Sequence, residues 1–413
     1  MTDAVIMCNL RPNQLEHHAA LRAAHQLGLD VLLITDQKAD VAPSLLAEQI
    51  RVPTYDIAQL VEAGRELARR HRVTGVVTWS DRDVLGTAEL ARALDLPGLS
   101  PEAAPAFRNK HRMRSALSAL PEYLPRYARV TSFDELERAA EHVGTPAVLK
   151  PTGAAGSIGI FEIHSPADLR PAFDQLHAYT RPEVHPIFAT STGELILEEF
   201  LTGSEHSVEG YAHQGRVTVA GITDKTTLAP FHTETRHVFP SALPEAARAA
   251  IIRMTEAVVT ELGLTDGVFH LECKWDGERA RLIEIAARVG GDHITSHLVP
   301  LATGRSFYEN TLRIATGQAP LAPTGPELAA GVQKFLAPHA GTFQGFEGLA
   351  EATTVPGLEH LVVDTRPGAT VRVPPEHYME YALGAALVRA GTPAEVTATL
   401  DTLQSVIRPV VTA

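Results

Sequence analysis

Cysteine is nearly absent from this chain: 413 residues contain two, Cys8 and Cys273. That scarcity excludes a disulfide-stapled scaffold, and without a CxxC pair or a Cys/His cluster it excludes the common zinc modules. Both thiols are expected to be reduced and buried in a cytosolic protein. Basic charge is also scarce: 36 Lys and Arg stand against 49 Asp and Glu, a formal net charge of −13. A surface of that sign does not bind nucleic acid as a whole, so any polyphosphate ligand must meet a local cationic pocket. No apolar run approaches the ~20 residues of a membrane helix, so no membrane partner is expected. The short run Ala4 to Cys8 lacks a basic stretch before it and reads as a first strand, not a signal peptide. What is present, 45% hydrophobic and 21% charged residues, is the composition of an ordinary globular protein with room for two or three domains.

Residues 4 to 10 read as a strand, Gln14 to Leu27 as a helix and Val31 to Thr35 as a second strand; Thr74 to Trp79 and Arg82 to Leu94 repeat the pair. Strands alternating with helices imply a small parallel sheet. Asn9, Arg11 and Asn13 follow one strand end, and Ser80, Asp81 and Asp83 follow another, at the edge where open α/β sheets bind ligands. The turn-rich segment 96 to 105 is a boundary, giving an N-terminal α/β domain over 1–105. Ala106 to Leu120 is expected to be a helix carrying NKHRMR, Pro244 to Leu262 another, and His297 to Thr316 a third. Residues 330 to 413 read as a smaller strand-rich piece ending in a helix that starts near Pro393.

The stretch VLKPTGAAGSIGI, Val148 to Ile160, joins a buried strand to a glycine-rich loop with Lys150 at its lip. Backbone N–H groups in such a loop turn toward an anion. The lysine precedes the glycines, which fits neither GxxxxGK[ST] nor GxGxxG. A second informative stretch is GVFHLECKWDGERARLIEIAARVGG, 267 to 291. Alternation puts Phe269, Leu271, Cys273 and Trp275 on one face and His270, Glu272 and Lys274 on the other. On the return strand Ile283 and Ile285 share a face, opposite Glu284, Ala286 and Arg288. Pairing apolar faces rules out a two-residue Asp-Gly turn and predicts an odd-length loop or bulge around Gly277 to Arg279. Glu272 then faces Glu284, and two carboxylates within ~5.5 Å repel unless a cation lies between them. Magnesium, a hard ion that shares phosphate oxygens, suits the pair; Lys274 and Arg288 as partners on a solvated face are the alternative.

NKHRMR, VLKPTGAAGSIGI, LILEEFLTGSEHSVEG, GVFHLE and LIEIAARVGG, in this order over residues 109 to 291, resemble the ATP-grasp superfamily. Within it, DKTT, TETRHVFPSALP and HLE resemble the L-amino acid ligases, which join amino acids. The resemblance implies an α/β ATP-grasp fold: an N-terminal parallel-sheet domain, an ATP-grasp domain over 106–325 with a lid subdomain at about 125–203, and a C-terminal α+β subdomain over 326–413. It implies ATP and Mg2+ as cofactors and small carboxylate and amine substrates, amino acids among them, with a possible homodimer. Lys110 and Lys150 would contact phosphates, and Gly153, Gly156, Ser157 and Gly159 would form the lid over them. Glu198, Glu199 and Leu201 would hold adenine, and Glu205 the ribose. Glu272 and Glu284 would hold magnesium. Lys150, Glu284 and Arg288 would be catalytic, and Glu234, His237, His270, Arg288, Gly290 and Gly291 would meet substrate. The superfamily commonly has asparagine two residues after the second metal glutamate; here that residue is Ala286, which cannot ligate.

Other readings stand beside these. Lys110 also fits a solvated helix face, Glu205 a neutraliser of His206, and His270 a core histidine bonded to backbone. Glu234, Arg236 and His237 lie in a turn-like segment. The expected activity is ATP-dependent formation of an acyl phosphate and its capture by an amine, giving an amide, ADP and phosphate. The alternatives are a carboxylase or nucleotide-precursor ligase fed by bicarbonate or formate, and a nucleotide-binding protein without chemistry.

Overall fold

The computed structural model describes residues 2–413 apart from His185 and Met379. At the N-terminus four parallel strands lie in the order Glu48–Arg51, Asp30–Thr35, Asp3–Cys8, Arg72–Thr78. Ala4 to Cys8 are wholly buried, as expected of a parallel strand covered by helices on both faces. The helices are Gln14–Gln26, Ile57–Arg70 and Val84–Ala93. The edge strand Glu48–Arg51 and helix Ile57–Arg70 were not foreseen. The strand reads EQIR and carries little apolar signal, while the helix buries a narrow stripe of Leu60, Ala63, Gly64 and Leu67.

A second, four-stranded antiparallel sheet runs in the order Tyr127–Val130, Leu195–Glu199, Ala147–Pro151, Phe161–Ile163. Helices Phe133–Val143 and Leu169–Tyr179 cover it, burying Leu136, Val143, Phe173 and Leu176 against Leu149 and Leu197. The glycine-rich loop spans the turn between its last two strands.

The largest sheet has eight antiparallel strands: Ala280–Ala286, Gly267–Trp275, Ser204–His213, Arg216–Leu228, Thr233–Phe239, Ala329–Leu336, Ala382–Ala390 and Leu358–Val363. Helix Glu245–Glu261 lies under the first strands, where Ile251, Met254 and Val258 meet Phe269, Leu271 and Cys273. That packing fixes which face of the acidic hairpin is core, and leaves the other for the cleft.

Three expectations are corrected by the backbone. The segment of Glu234, Arg236 and His237, read as turn-like, forms strand Thr233–Phe239 of the central sheet, paired with Arg216–Leu228. The helix expected over 297–316 is broken: a π-helical turn at Ile294–Leu298 and helix Val299–Thr303 end at Gly304, whose left-handed φ of 67° stops them, and Phe307–Ala315 restarts under its own Ser306 cap. The last helix, Pro393–Val406, starts where expected behind a Thr392/Glu395 capping box, but strand Arg408–Thr412 follows it into a three-stranded sheet. Among the described residues no helix is long and apolar enough to cross a membrane.

Candidate functional site

The hairpin places Glu272 directly opposite Glu284. The device differs from the expected one: the loop, Asp276 to Arg279, has four residues, and the register shifts between Glu272 and Cys273, leaving Ile283 as the extra residue. Asp276 stabilises the loop by accepting from the Glu278 and Arg279 N–H groups at 2.9 and 2.8 Å. Because of the bulge, Leu282 and Ile285 enter the core while Ile283 joins Glu284 on the cleft. Ile283 and Ile285 therefore do not share a face. Two adjacent apolar residues conceal a bulge from period-two reading.

The cleft is walled by both antiparallel sheets. Lys110 stands at the first turn of helix Lys110–Ala116, capped by Asn109. Its ammonium donates to the Ala154 carbonyl at 2.8 Å and meets Glu284 at 2.5 Å. Lys110 thus spans from the glycine-rich loop to the hairpin. Lys150 meets Glu198 at 2.7 Å, and Arg114 meets the same carboxylate at 2.8 Å. Burial pushes the Glu198 carboxyl up, but the two cations outweigh it and hold it down to about 2. The Glu198 side chain is thereby committed, and Glu199 accepts from Arg281 and the Arg126 N–H. Of the backbone expected to meet adenine, the Glu199 and Phe200 N–H groups donate to the Arg126 and Pro146 carbonyls at 2.8 and 3.2 Å.

In the loop, Gly156 and Ser157 adopt left-handed φ of 67° and 58°. A side chain on Gly153 would lie 2.2 Å from Ser191 Oγ, whereas one on Gly156 would meet nothing within 4 Å. Gly153 is a packing glycine and Gly156 a conformational one. Ser157 Oγ, expected on phosphate, donates to the His232 carbonyl at 2.9 Å and ties the loop to the tip of the neighbouring hairpin.

A residue not assigned from the sequence sits at the centre. Lys225, whose side chain is 1% exposed, meets Glu234 at 2.5 Å, Glu272 at 2.7 Å and Glu205 at 3.2 Å. Burial pushes its pKa down, and the three carboxylates reverse that and hold it well above its usual value. Glu205, Glu234 and Glu272 are close enough to hold a metal ion, but the Lys225 ammonium already fills that role. Glu205 also pairs with Lys274 at 3.1 Å, and His206 turns instead to Asp224 at 2.8 Å; the pairing of Glu205 with His206 is not seen. Apart from its place in the DKTT segment, nothing in the sequence marked it.

The charges continue along the sheet. Glu234 approaches His237 at 3.5 Å, His237 approaches Asp292 at 3.2 Å, and Lys334 meets Asp292 at 2.9 Å. Burial works against the charged form of His237, yet Asp292 and Glu234 raise its pKa. His270 is neither backbone-bonded nor open to substrate. Its Nδ1 pairs with Glu209 at 2.6 Å and its Nε2 with Glu272 at 3.2 Å, so it backs the Glu272 carboxylate. Burial lowers its pKa, but Glu209 and Glu272 raise it to about 9.

Arg288 leaves the hairpin toward the N-terminal domain, donating from Nε to Asp81 at 2.8 Å and from Nη1 to the Val289 carbonyl at 2.9 Å. Gly290 and Gly291 follow. A Cβ on Gly290 would lie 2.6 Å from the Glu209 carboxylate, and one on Gly291 2.8 Å from Arg11. Asp292 and His293 then adopt left-handed φ of 51° and 64° before the π-helical turn. Such backbone strain, roughly 1–3 kcal/mol per residue, gathers at functional sites. At the parallel-sheet edge, Asn9 Nδ2 donates to Asp83 Oδ2 at 2.8 Å, Asp81 pairs with Arg288 and Arg11 stands against Gly291.

Comparison with known proteins decides the family. Residues 143–296 match an ATP-grasp domain, 21–98 an ATP-grasp N-terminal domain, and 334–412 the L-amino acid ligase C-terminal domain 2. The chain is an ATP-grasp protein. It is 31% identical over 246 residues to alanine–anticapsin ligase of Bacillus subtilis, covering 56% of this chain and 52% of that one. Carnosine synthase 1 of Homo sapiens is 28% identical over 323 residues, 74% of this chain and 39% of the relative. These matches thus span about half the length, or less, of those two relatives. The ATP-grasp fold is shared end to end with the L-amino acid ligase from Bacillus licheniformis, with a TM-score of 0.88, 23% identity and coverage of 100% and 99%.

Proposed function

We propose that this ATP-grasp protein is an ATP-dependent carboxylate–amine ligase that activates an amino acid as its acyl phosphate and couples it to the amine of another, releasing ADP and phosphate. The observation that carries the reading is the opposition of Glu272 and Glu284 on the wall of a cleft closed by the glycine-rich loop, with Lys110 reaching from the loop to Glu284. In each glutamate one oxygen contacts an ammonium, and a second is available to a hard divalent ion, so the donor set fits magnesium. When bound there, the ion would offset charge on a triphosphate and on the phosphoryl group in transfer. Ala286 lies opposite His270 and is buried, which leaves Glu284 and water for any second ion.

Lys110, Lys150 and the loop amides then orient the triphosphate. Lys150 can turn to a phosphate because Arg114 keeps Glu198 paired. Glu205 is placed for the ribose, and Arg288 for the charge that develops on the carboxylate and phosphoryl group. Glu234 is the group for the substrate ammonium, with the His237 imidazole beside it at 3.5 Å. The loop excludes water, which would otherwise hydrolyse the acyl phosphate. Alignment of amine and acyl phosphate can supply roughly 7–11 kcal/mol of the barrier.

The test is phosphate and ADP release from Mg-ATP with amino acids singly and in pairs, with mass spectrometry of the products. Pair-dependent release with a product at the summed mass less water is expected. Release that requires bicarbonate instead would replace the ligase with a carboxylase. ATP binding without turnover on any pair would leave a nucleotide-binding protein.

A further inference from the structure

The glycine-rich loop also carries apolar side chains that the cleft chemistry does not use. Ala154 and Ile158 are buried in one cluster with Phe188 and Tyr378, and Tyr179 and Phe231 belong to the same cluster. Tyr378 joins its aromatic members: its ring stands edge-on to Tyr179 at 5.5 Å and to Phe231 at 5.9 Å between centroids, an arrangement that aromatic pairs favour. This tyrosine arrives from the far end of the chain, on the irregular segment between strands Thr370–Val371 and Ala382–Ala390. From Arg372 to Tyr378 it alone is buried, while Pro375 and Glu376 are exposed. A surface segment thus turns one aromatic ring inward, and what that ring meets is the cluster of the loop.

The segment is tied down at its base. Arg372 and Glu380 share two hydrogen bonds at 2.7 and 2.6 Å, and the Tyr381 hydroxyl shares one with Thr233, the neighbour of Glu234 on the acidic wall. The loop has less of its own, because the glycines at 153, 156 and 159 make its backbone costly to order and leave its place to outside contacts. Ala154 is the member that matters to the site. Its carbonyl accepts from Lys110 at 2.8 Å, and Lys110 meets Glu284, so whatever fixes Ala154 fixes where that ammonium stands.

We infer that Tyr378 is a positioning residue for ATP use: its ring backs the glycine-rich loop, so that the C-terminal subdomain sets how firmly the loop grips the triphosphate and how well it excludes water. This rests on the ligase reading above for the reaction it serves, and it adds a residue that touches neither nucleotide nor amino acid. The ring carries the role through apolar and edge-to-face contact, so phenylalanine should replace tyrosine and a small side chain should not.

The experiment measures ATP kinetics, and phosphate released per amide formed, in wild type, Tyr378→Phe, Tyr378→Leu and Tyr378→Ala, on an amino acid pair that supports turnover. Tyr378→Ala is expected to raise KM for ATP about tenfold with kcat within about threefold. It should also release about two or more phosphates per amide, as acyl phosphate meets water. Tyr378→Phe should match wild type in both. Tyr378→Leu keeps much of the apolar volume, should fall between, and carries the test if the alanine variant does not fold. A lower Tm in these variants with wild-type KM and one phosphate per amide would make the tyrosine structural only and overturn the assignment. A loss in Tyr378→Phe as large as in Tyr378→Ala would move the role to the hydroxyl and also overturn it. If no pair supports turnover, the ligase reading fails separately, and calorimetry with Mg-ATP and hydrogen exchange decide. Weaker binding and faster exchange from Gly153 to Gly159 in Tyr378→Ala or Tyr378→Leu, with strand Ala147–Pro151 unchanged, uphold the positioning role; equal affinity and exchange overturn it.

Discussion

Lys150 and Lys225 are both buried on strands that wall the cleft, but their surroundings are opposite in sign. Lys150 shares one carboxylate, Glu198, with Arg114, so two cations face one anion. Lys225 is one cation among three carboxylates. The cleft therefore has a cation-rich wall on the smaller sheet and an anion-rich wall on the larger one. Under the proposed function, a triphosphate with its metal ion would be matched in that order: phosphate oxygens to the first wall, cation to the second. A ligand that spans both walls would then balance the charges that look unbalanced in each.

Changes to each wall test this division. The largest effect is expected from Glu284→Gln on the anion-rich wall, with turnover falling roughly a thousandfold or more. Nucleotide affinity, measured by calorimetry, should persist; retained turnover would end the metal assignment. Next, Lys225→Met leaves three carboxylates facing each other and should cost about 3–5 kcal/mol in urea unfolding. Added Mg2+ should recover part of that loss, because an ion can take the ammonium's place. Glu198→Gln on the opposite wall should show no such recovery. The same variant tests the acid limb of stability. Glu198 is held down to about 2 from a usual 4.5, so its contribution is present above pH 4.5 and is lost as pH falls toward 2. That contribution should be worth on the order of 3 kcal/mol in wild type and be missing from the variant, which keeps the part of the acid slope owed to other carboxylates held low, Glu272 and Asp292 among them. The smallest effect belongs to Gly156→Ala, where space is open but φ is 67°; about 1 kcal/mol is expected, read as a small fall in Tm.

The anion-rich wall was the more legible in sequence, and the reason is periodicity. Phe269 to Trp275 alternates cleanly, so the side of Glu272 follows from the chain alone. The return strand places Leu282 beside Ile283, and either residue satisfies a core position; only helix Glu245–Glu261, packed from below, selects Leu282. Lys225 was invisible because its partners lie 9 to 47 residues away on three other strand positions. Asp81 and Arg288 are 207 residues apart, joined by a domain contact that no local pattern encodes. The parallel sheet was legible where its strands are wholly apolar and lost at its polar edge, Glu48–Arg51. Continuous apolar periodicity across 297–316 concealed the break that Gly304 imposes.

The bulge at Ile283 has a mechanical consequence. The Ile283 carbonyl accepts from Arg114 Nη2 at 2.7 Å, and the same guanidinium holds Glu198 at the end of strand Leu195–Glu199. One side chain thus pins the exit of the loop-bearing sheet to the acidic hairpin. With that contact kept, any opening of the cleft is expected to move Glu198 least and Gly156 most. Hydrogen exchange with and without nucleotide should find the amides around Glu198 and Ile283 unchanged while those of the glycine-rich loop slow. A fixed point between the walls would let the loop swing over a ligand without altering the distance between the two glutamates beneath it.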